Sequence, residues 1–332
     1  GFDGDRTGPA PAVRRKPSVT DPVPAGKGVF WYLGPVPGKF SVDGTPNNGN
    51  QISTVSYTST SGGALEDGWN LMANPYPCAI DWKLVSRSSG VSNFAYIYDA
   101  TGSGNFVVID ALASGDQLIA SSNAFWVKTS QNATLTFEES DKSLNVSAPF
   151  YKNADDAFDE LYVHVLNTDD STLNDFTRLR FMEEASALYD VLYDAPKRYS
   201  LNPNVPGIST LIDSNDFAIN SFNPSDSIVS IALKVNIRTS GNYQFSFDFG
   251  SDFFESRCVV LHDLESGEMH VVEEGSTYSF VSETNEISDS ARFELIFSPT
   301  VNVETSNATC FGAANGSVQL ETYGDGPFVY SL

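Results

Sequence analysis

Three histidines, His164, His262 and His270, are where reactive chemistry would have to begin in this chain. Imidazole titrates near neutrality, so it serves as a general base or as a metal ligand. His164 lies in ELYVHVLN and His262 in VVLHDL, strand-like runs in which a histidine is usually half-exposed or hydrogen-bonded. His270 follows His262 across a turn at Glu265-Ser266-Gly267, which lets the two imidazoles approach one another with Glu268 beside them. Two imidazoles and a carboxylate can hold a metal, but no HExxH or comparable ligand spacing supports it. A GxSxG elbow, a P-loop and a strand-to-helix GxGxxG are also missing, and Gly102 to Gly104 reads as a turn. With 42 Asp and Glu, carboxylate pairs are commonplace, so no pair singles itself out for glycosidase chemistry. The expectation is a protein with no catalytic residues and no organic cofactor.

Calcium is the one cofactor for which the loops make room, because acidic β modules often supply hard oxygen ligands from loop carboxylates and carbonyls. The candidate ligands are Asp169, Asp170, Asn174 and Asp175, with Asp155, Asp156 and Asp159 as a second loop. Neither loop follows the twelve-residue order of an EF-hand, and a solvated acidic loop gives the same pattern. A ligand platform is the other candidate, built from Trp69, Tyr76 and Trp82 in the run GWNLMANPYPCAIDW. Those rings equally suit a structural corner, since Pro75 and Pro77 fix their own φ and push Asn74 and Tyr76 out of the helical region. Cys78, Cys258 and Cys310 are too far apart for a zinc knuckle or a CxxC motif. One pair can form in an oxidising compartment, leaving an odd thiol, while buried free thiols are the plainer expectation for Cys78 and Cys258.

The elements that must position these residues are short β-rich runs separated by Gly, Asn, Asp and Ser. VFWYL, KFSV, QISTVSYTST, FAYIYD, FVVID, AFWVK and TLTFEE follow one another between residues 29 and 148, which are expected to form one β domain. A second domain is expected over 149–299, with strands at ELYVHVLN, FTRLRFME, CVVLHDL, MHVVEE, TYSFVS and RFELIFS. Tyr243, Phe245, Phe247 and Phe249 alternate with polar residues, so they share one face of a strand and are expected to wall a core. In EEASALYDVL, residues 183–192, the spacing of Ala187, Leu188 and Val191 predicts a short helical turn. Residues 1–28, with five prolines, read as an extended linker in which Arg14, Arg15 and Lys16 are a solvated basic patch. The fold class expected is all-β: antiparallel sandwiches of jelly-roll or Ig-like type in tandem.

Composition narrows the partners. A formal charge of -23 repels phosphate backbones, so nucleic acid is not expected as a partner. Apolar runs stay well short of the roughly 18–20 residues that cross a bilayer as a helix, so no membrane insertion is expected. The chain opens without Met and closes at Phe328-Val329-Tyr330-Ser331-Leu332 inside a strand-like pattern, as expected of a segment cut from something longer.

GWNLMANPYPCAIDW resembles a GWNLVGNPYPSAIDW-like signature of large secreted proteins of Bacteroidota, departing from it at Met72-Ala73 and Cys78. The order YIYDATGSGNFVVID, ASSNAFWVKTSQNATLTFEES, FAINSF and TSGNYQFSF resembles the same proteins, so the likeness covers roughly residues 27 to 299. CFGAANGS at 310–317, followed by GPFVYS, resembles the opening of a SprB-type repeat, an Ig-like adhesin module, here truncated within 300–332. The resemblance implies a secreted, extracellular or cell-surface location. It implies export by the type IX machinery and a non-catalytic structural or adhesive role, of adhesin or gliding type. Partners implied are that machinery, extracellular polysaccharide and neighbouring surface proteins, with assembly as a filament subunit among the expectations. The alternative is a carbohydrate-binding accessory module of a secreted multidomain enzyme. The triplets at Ser171, Ser227 and Ser290 resemble the Asp-Ser-x O-glycosylation motif of exported Bacteroidota proteins, which implies a glycoprotein.

Overall fold

A computed structural model describes residues 24–29, 44–99, 104–144, 158–224, 230–250, 257–283, 286–287, 290–310, 312–313 and 315–323. The expected strands VFWYL (beyond Val29) and KFSV, the basic patch, Asp155, Asp156, Ser227 and the GPFVYS run lie outside them. Among the described residues the chain is all-β, as the alternation predicts, and no helix is long and apolar enough to cross a membrane. It divides into two compact units, Gly1–Ala157 with Leu188–Asn202, and Phe158–Ala187 with Pro203–Leu332. The division therefore runs differently from the contiguous 149–299 expected, because residues 188–202 return to the first unit.

The first unit contains β1 (Gln51–Val55), β2 (Trp69–Ala73), β3 (Ala79–Asp81), β4 (Ser86–Arg87) and β5 (Val91–Tyr98). It continues with β6 (Phe106–Asp110), β7 (Leu118–Ile119), β8 (Ala124–Thr129), β9 (Ala133–Phe137) and β10 (Lys142–Ser143). A four-stranded sheet β2-β8-β5-β6 packs with two three-stranded sheets, β1-β9-β4 and β10-β3-β7, every pair antiparallel. Met72, Tyr76, Ile80, Trp82, Phe125 and Phe137 lie in the core they enclose. Gly28 passes so close to β2 that a β-carbon there would stand 2.4 Å from the Met72 carbonyl oxygen.

The second unit opens with β11 (Asp159–Asn167) and β12 (Asn174–Phe181); the returning segment carries the short β13 (Ala195–Pro196). Then come β14 (Gly207–Ile212), β15 (Asn215–Phe222), β16 (Ser230–Ile237), β17 (Gly241–Phe249), β18 (Arg257–Asp263) and β19 (Met269–Val272). β20 (Thr277–Ser282), β21 (Glu286–Ile287), β22 (Phe293–Ser306) and β23 (Ser317–Tyr323) complete it. Hydrogen bonds link β19-β18-β22-β16-β14-β15-β12-β11-β17-β20 into one continuous path. Its pairs are antiparallel except β12 with β15, which run parallel with Arg178 opposite Ile219. The two ends of the path, β19 and β20, are neighbours in sequence, and the ring of His270 lies 5.6 Å from that of Tyr278. The sheet thus curls round a single core.

Strand alternation builds that core. Tyr243, Phe245 and Phe247 are fully buried and Phe249 packs against them, as their spacing predicts. Phe245 meets Phe293 edge to face with 4.8 Å between centroids. Each such buried side chain contributes roughly 1.5–3 kcal/mol by leaving water.

Two local expectations change. Residues 183–192 form turns, not a helix: the Asp194 side chain accepts from the Asp190 amide at 2.7 Å, and the Asp190 side chain accepts from Leu192 at 2.8 Å. Aspartate carboxylates that bind nearby amides compete with the helical ladder, and here they stop it after one turn. The strand RFELIFS does not end at Pro299. β22 pairs with β18 as far as Pro299 and with β23 from Thr300 onward, so the residue that lacks an N–H stands where the partner changes.

Candidate functional site

The corner from Gly68 to Trp82 is built inward. The ring of Trp69 is 3% exposed, Tyr76 2% and Trp82 0%, which corrects the expectation that these three form a ligand platform. A stacking platform must show a ring face to solvent, and here each ring is spent on the core. Trp69 donates its Nε1–H to Leu65 O at 2.8 Å, and Trp82 donates to Asn93 O at 2.7 Å. The Tyr76 hydroxyl lies 2.9 Å from the carbonyls of both Gly49 and Phe137. Burial first, then Glu139 and Asp141, pushes that phenol up to about 12.

Asn74 is the pin of this corner. Its Nδ2 donates to Cys78 O at 2.8 Å and to Ile119 O and Ala120 O at 3.1 Å, while its Oδ1 accepts from the Tyr76 amide at 2.9 Å. The Asn-Pro-Tyr-Pro order serves this arrangement: the prolines hold the chain extended, and the amide ties it to the strand opposite. Beside it, Lys128 Nζ donates to the carbonyls of Ala64, Leu65 and Asp67 at 2.7, 3.1 and 2.5 Å. Burial and the neighbouring Arg198 hold this ammonium down at about 8. Arg198 stacks over Trp69 at 4.4 Å and pairs with Glu66 at 2.9 Å.

The histidines are dispersed by register. Leu261 stands opposite His270 and Met269 opposite His262, so the two imidazoles project from opposite faces of the β18–β19 pair. Their expected approach is therefore corrected by a one-residue offset. His262 Nδ1 lies 3.0 Å from Glu294, His164 Nε2 lies 2.9 Å from Asp248, and His270 packs among Phe247 and Tyr278. Among the described residues no group of three or more His, Cys, Asp or Glu side chains could hold a metal ion.

The calcium candidates do not converge either. Asp170 accepts from the Thr172 amide at 3.1 Å and from its hydroxyl at 2.6 Å. Asn174 donates back to Ser171 O, and Asp175 turns inward to accept from the Ile208 amide at 3.1 Å. The backbone amide of Asp169 donates to Asn167 Oδ1 at 2.8 Å. Strand parity divides Asn174 from Asp175, sending adjacent side chains to opposite faces. Ser171 is exposed in the β11–β12 turn and Ser290 is exposed ahead of β22. The three thiols are unpaired, Cys78 and Cys258 half-buried and Cys310 exposed.

Two buried ionic clusters escaped the sequence reading. Glu160 accepts from Arg180 Nε at 2.5 Å and from the Tyr162 hydroxyl at 2.8 Å, with Arg178 at 3.4 Å. Burial raises the Glu160 carboxyl, but Arg178, Arg180 and Tyr162 outweigh it and hold it below the usual range. Asp263 is gripped by Arg292 at 3.0 and 3.2 Å, and there too the guanidinium outweighs burial. The signal was present in FTRLRF, where two arginines share the parity opposite Leu179 and face Glu160 across the pair.

The outward face of β12-β11-β17-β20 sets rings beside polar side chains. Across it, Arg178, Tyr162 and Asp248 form one row, and Phe176, His164, Ser246 and Thr277 the next. Asn174, Leu166, Gln244 and Ser279 follow. The rings of Tyr162 and His164 lie 6.1 Å apart and nearly parallel, and Phe176 lies 5.5 Å from His164. Buried charge closes one end of this face at Glu160 and Arg180, while Phe176 is 41% exposed.

Residues 88–297 match a family model described as a domain of unknown function, DUF8693. No curated protein and no solved structure matches the chain.

Proposed function

We propose that this chain, which belongs to the DUF8693 family, is a non-catalytic structural and adhesive segment of a large secreted cell-surface protein exported by type IX secretion. The observation that carries the reading is β22. One uninterrupted strand takes part in the sandwich through Pro299 and in the following hairpin from Thr300 to Ser306, with no linker residues between them. A shared strand passes orientation and tension from one set of pairings to the next, as a spacer in a long surface protein requires. The inward-built corner supports the same reading, because the GWNLMANPYPCAIDW run serves packing and its rings offer nothing to a substrate.

A non-catalytic role is further supported by the dispersal of the imidazoles, each set against its own local partner. The alternative of a carbohydrate-binding accessory module loses its original platform, since Trp69, Tyr76 and Trp82 are core residues.

The test is made in cells that carry the parent protein. Residues 27–299 are deleted, or a flexible Gly/Ser insert is placed between Pro299 and Thr300, and attachment to surfaces is scored beside antibody labelling of intact cells. Surface labelling with weakened attachment in both variants is the expected result. Labelling that appears only after lysis, or turnover of a hydrolase substrate panel by the purified chain, overturns the proposal.

A further inference from the structure

We propose that the outward face of β12-β11-β17 is a binding site for a neutral polysaccharide, centred on the exposed ring of Phe176 with His164 beside it. The proposal rests on the adhesive half of the reading above and is independent of the spacer half, which stands on β22 alone.

A sugar ring presents apolar C–H faces and a rim of hydroxyls, so its receptor needs fixed ring faces bordered by neutral hydrogen-bonding groups. The Phe176 ring is held in advance, backed by Tyr162, which is itself packed between Arg178 and His164. The Tyr162 hydroxyl donates to Glu160 at 2.8 Å, His164 is held by Asp248 at 2.9 Å, and Phe176 leans on both rings within 6.2 Å. Side chains fixed before the ligand arrives lose little entropy when it binds. Beyond the rings, in register on the same face, stand Ser246, Thr277 and Gln244. Asp248, 55% exposed, offers a carboxylate that accepts from hydroxyls.

Sheet stabilisation alone accounts for cross-strand ring pairs. Phe176 itself stands 41% exposed at the border of a polar row. Charge selects the class of glycan. The chain carries a net charge of -23, Arg178 is already engaged by Glu160, and Asp248 stands in the site, so an anionic polymer is repelled.

Affinity electrophoresis of the full chain in gels containing hydroxyethylcellulose, galactomannan or soluble starch tests this, with alginate as the anionic probe. The expected result is retardation by at least one neutral polymer and none by alginate. Phe176→Ala and Phe176→Leu should each bind roughly tenfold more weakly or worse. Leu keeps most of the apolar bulk that packs on the sheet and removes the ring face, and an unchanged urea midpoint beside weakened binding separates the ring from the fold. Val281→Ser, further along the same surface opposite Asn242, should bind as the parent does. No retardation by any neutral polymer, retardation by alginate alone, or unchanged binding in Phe176→Leu overturns the proposal. Any of these leaves the linker experiment at Pro299 unaffected.

Discussion

The carbonyl oxygen of Thr129 lies 1.9 Å from the position a β-carbon on Gly68 would occupy, and Gly68 itself has φ of +73°. β2 can start its pairing with β8 only because nothing projects there. Gly68→Ala should therefore cost at least about 3 kcal/mol, from left-handed strain plus displacement of the β8 backbone. Gly63, at φ +81° with nothing within 4 Å of its would-be β-carbon, is the matched control. Its alanine variant should lose only about 1–2 kcal/mol. Urea unfolding of the two variants side by side measures the difference, and equal losses would show that the close approach to Thr129 contributes nothing.

Asn74 gives a second prediction, this time about donors. Asn74→Ala strands three carbonyls and should cost about 2–4 kcal/mol. Asn74→Asp keeps the acceptor for the Tyr76 amide but turns a carboxylate toward those carbonyls. Only its protonated form can donate, so the folded-state pKa of the new acid should rise above its unfolded value. Stability is then present below about pH 4 and lost as pH rises through the folded pKa. Thermal melts of this variant should improve on mild acidification relative to the parent. A melt that worsens in step with the parent would remove the donor argument.

How far the sequence could be read follows from which features depend on one strand and which on two. Tyr243 to Phe249 belongs to one strand, and alternation alone placed its rings in the core. The proline pair at 75 and 77 likewise made the corner legible, though not that Asn74 would supply its cross-links. The facing of His262 and His270 depends on hairpin register, where one residue decides the side of the sheet, and no local pattern specified it. The parallel pairing of β12 with β15 and the return of residues 188–202 to the first unit are set by distant contacts. The meeting of Phe176 with His164 was hidden for the same reason, since they come together only across paired strands.

Glu160 predicts an acid limb to stability. Its carboxyl is held low by Arg178, Arg180 and Tyr162 against the pull of burial, so its contribution is present above the unfolded pKa near 4.3 and disappears as pH falls through the depressed folded value. Glu160→Gln leaves two guanidinium groups without their counter-charge and should cost about 3–5 kcal/mol at neutral pH. The gap between parent and variant should narrow below about pH 4 as the parent carboxyl protonates. Urea midpoints collected from neutral to acid conditions read this directly. A gap that stays constant with pH would mean that Glu160 acts through packing, not charge.

The alkaline limb comes from buried phenols. Tyr76 is raised to about 12 by burial and by Glu139 and Asp141, and burial also raises Tyr96, Tyr162 and Tyr189. A phenol whose folded pKa exceeds its unfolded value near 10 stabilises the fold fully below that value, and the contribution is lost as pH rises through the folded pKa. Of the 14 tyrosines, the exposed ones should ionise first and reversibly, and these four only as near-ultraviolet circular dichroism collapses. Tyr76→Phe should remove one phenol from the delayed step and cost about 1–2 kcal/mol at neutral pH, because the Gly49 and Phe137 carbonyls lose their donor. Phenolate absorbance that rises in a single step near pH 10, with tertiary dichroism intact, would show that these hydroxyls reach solvent in the folded protein.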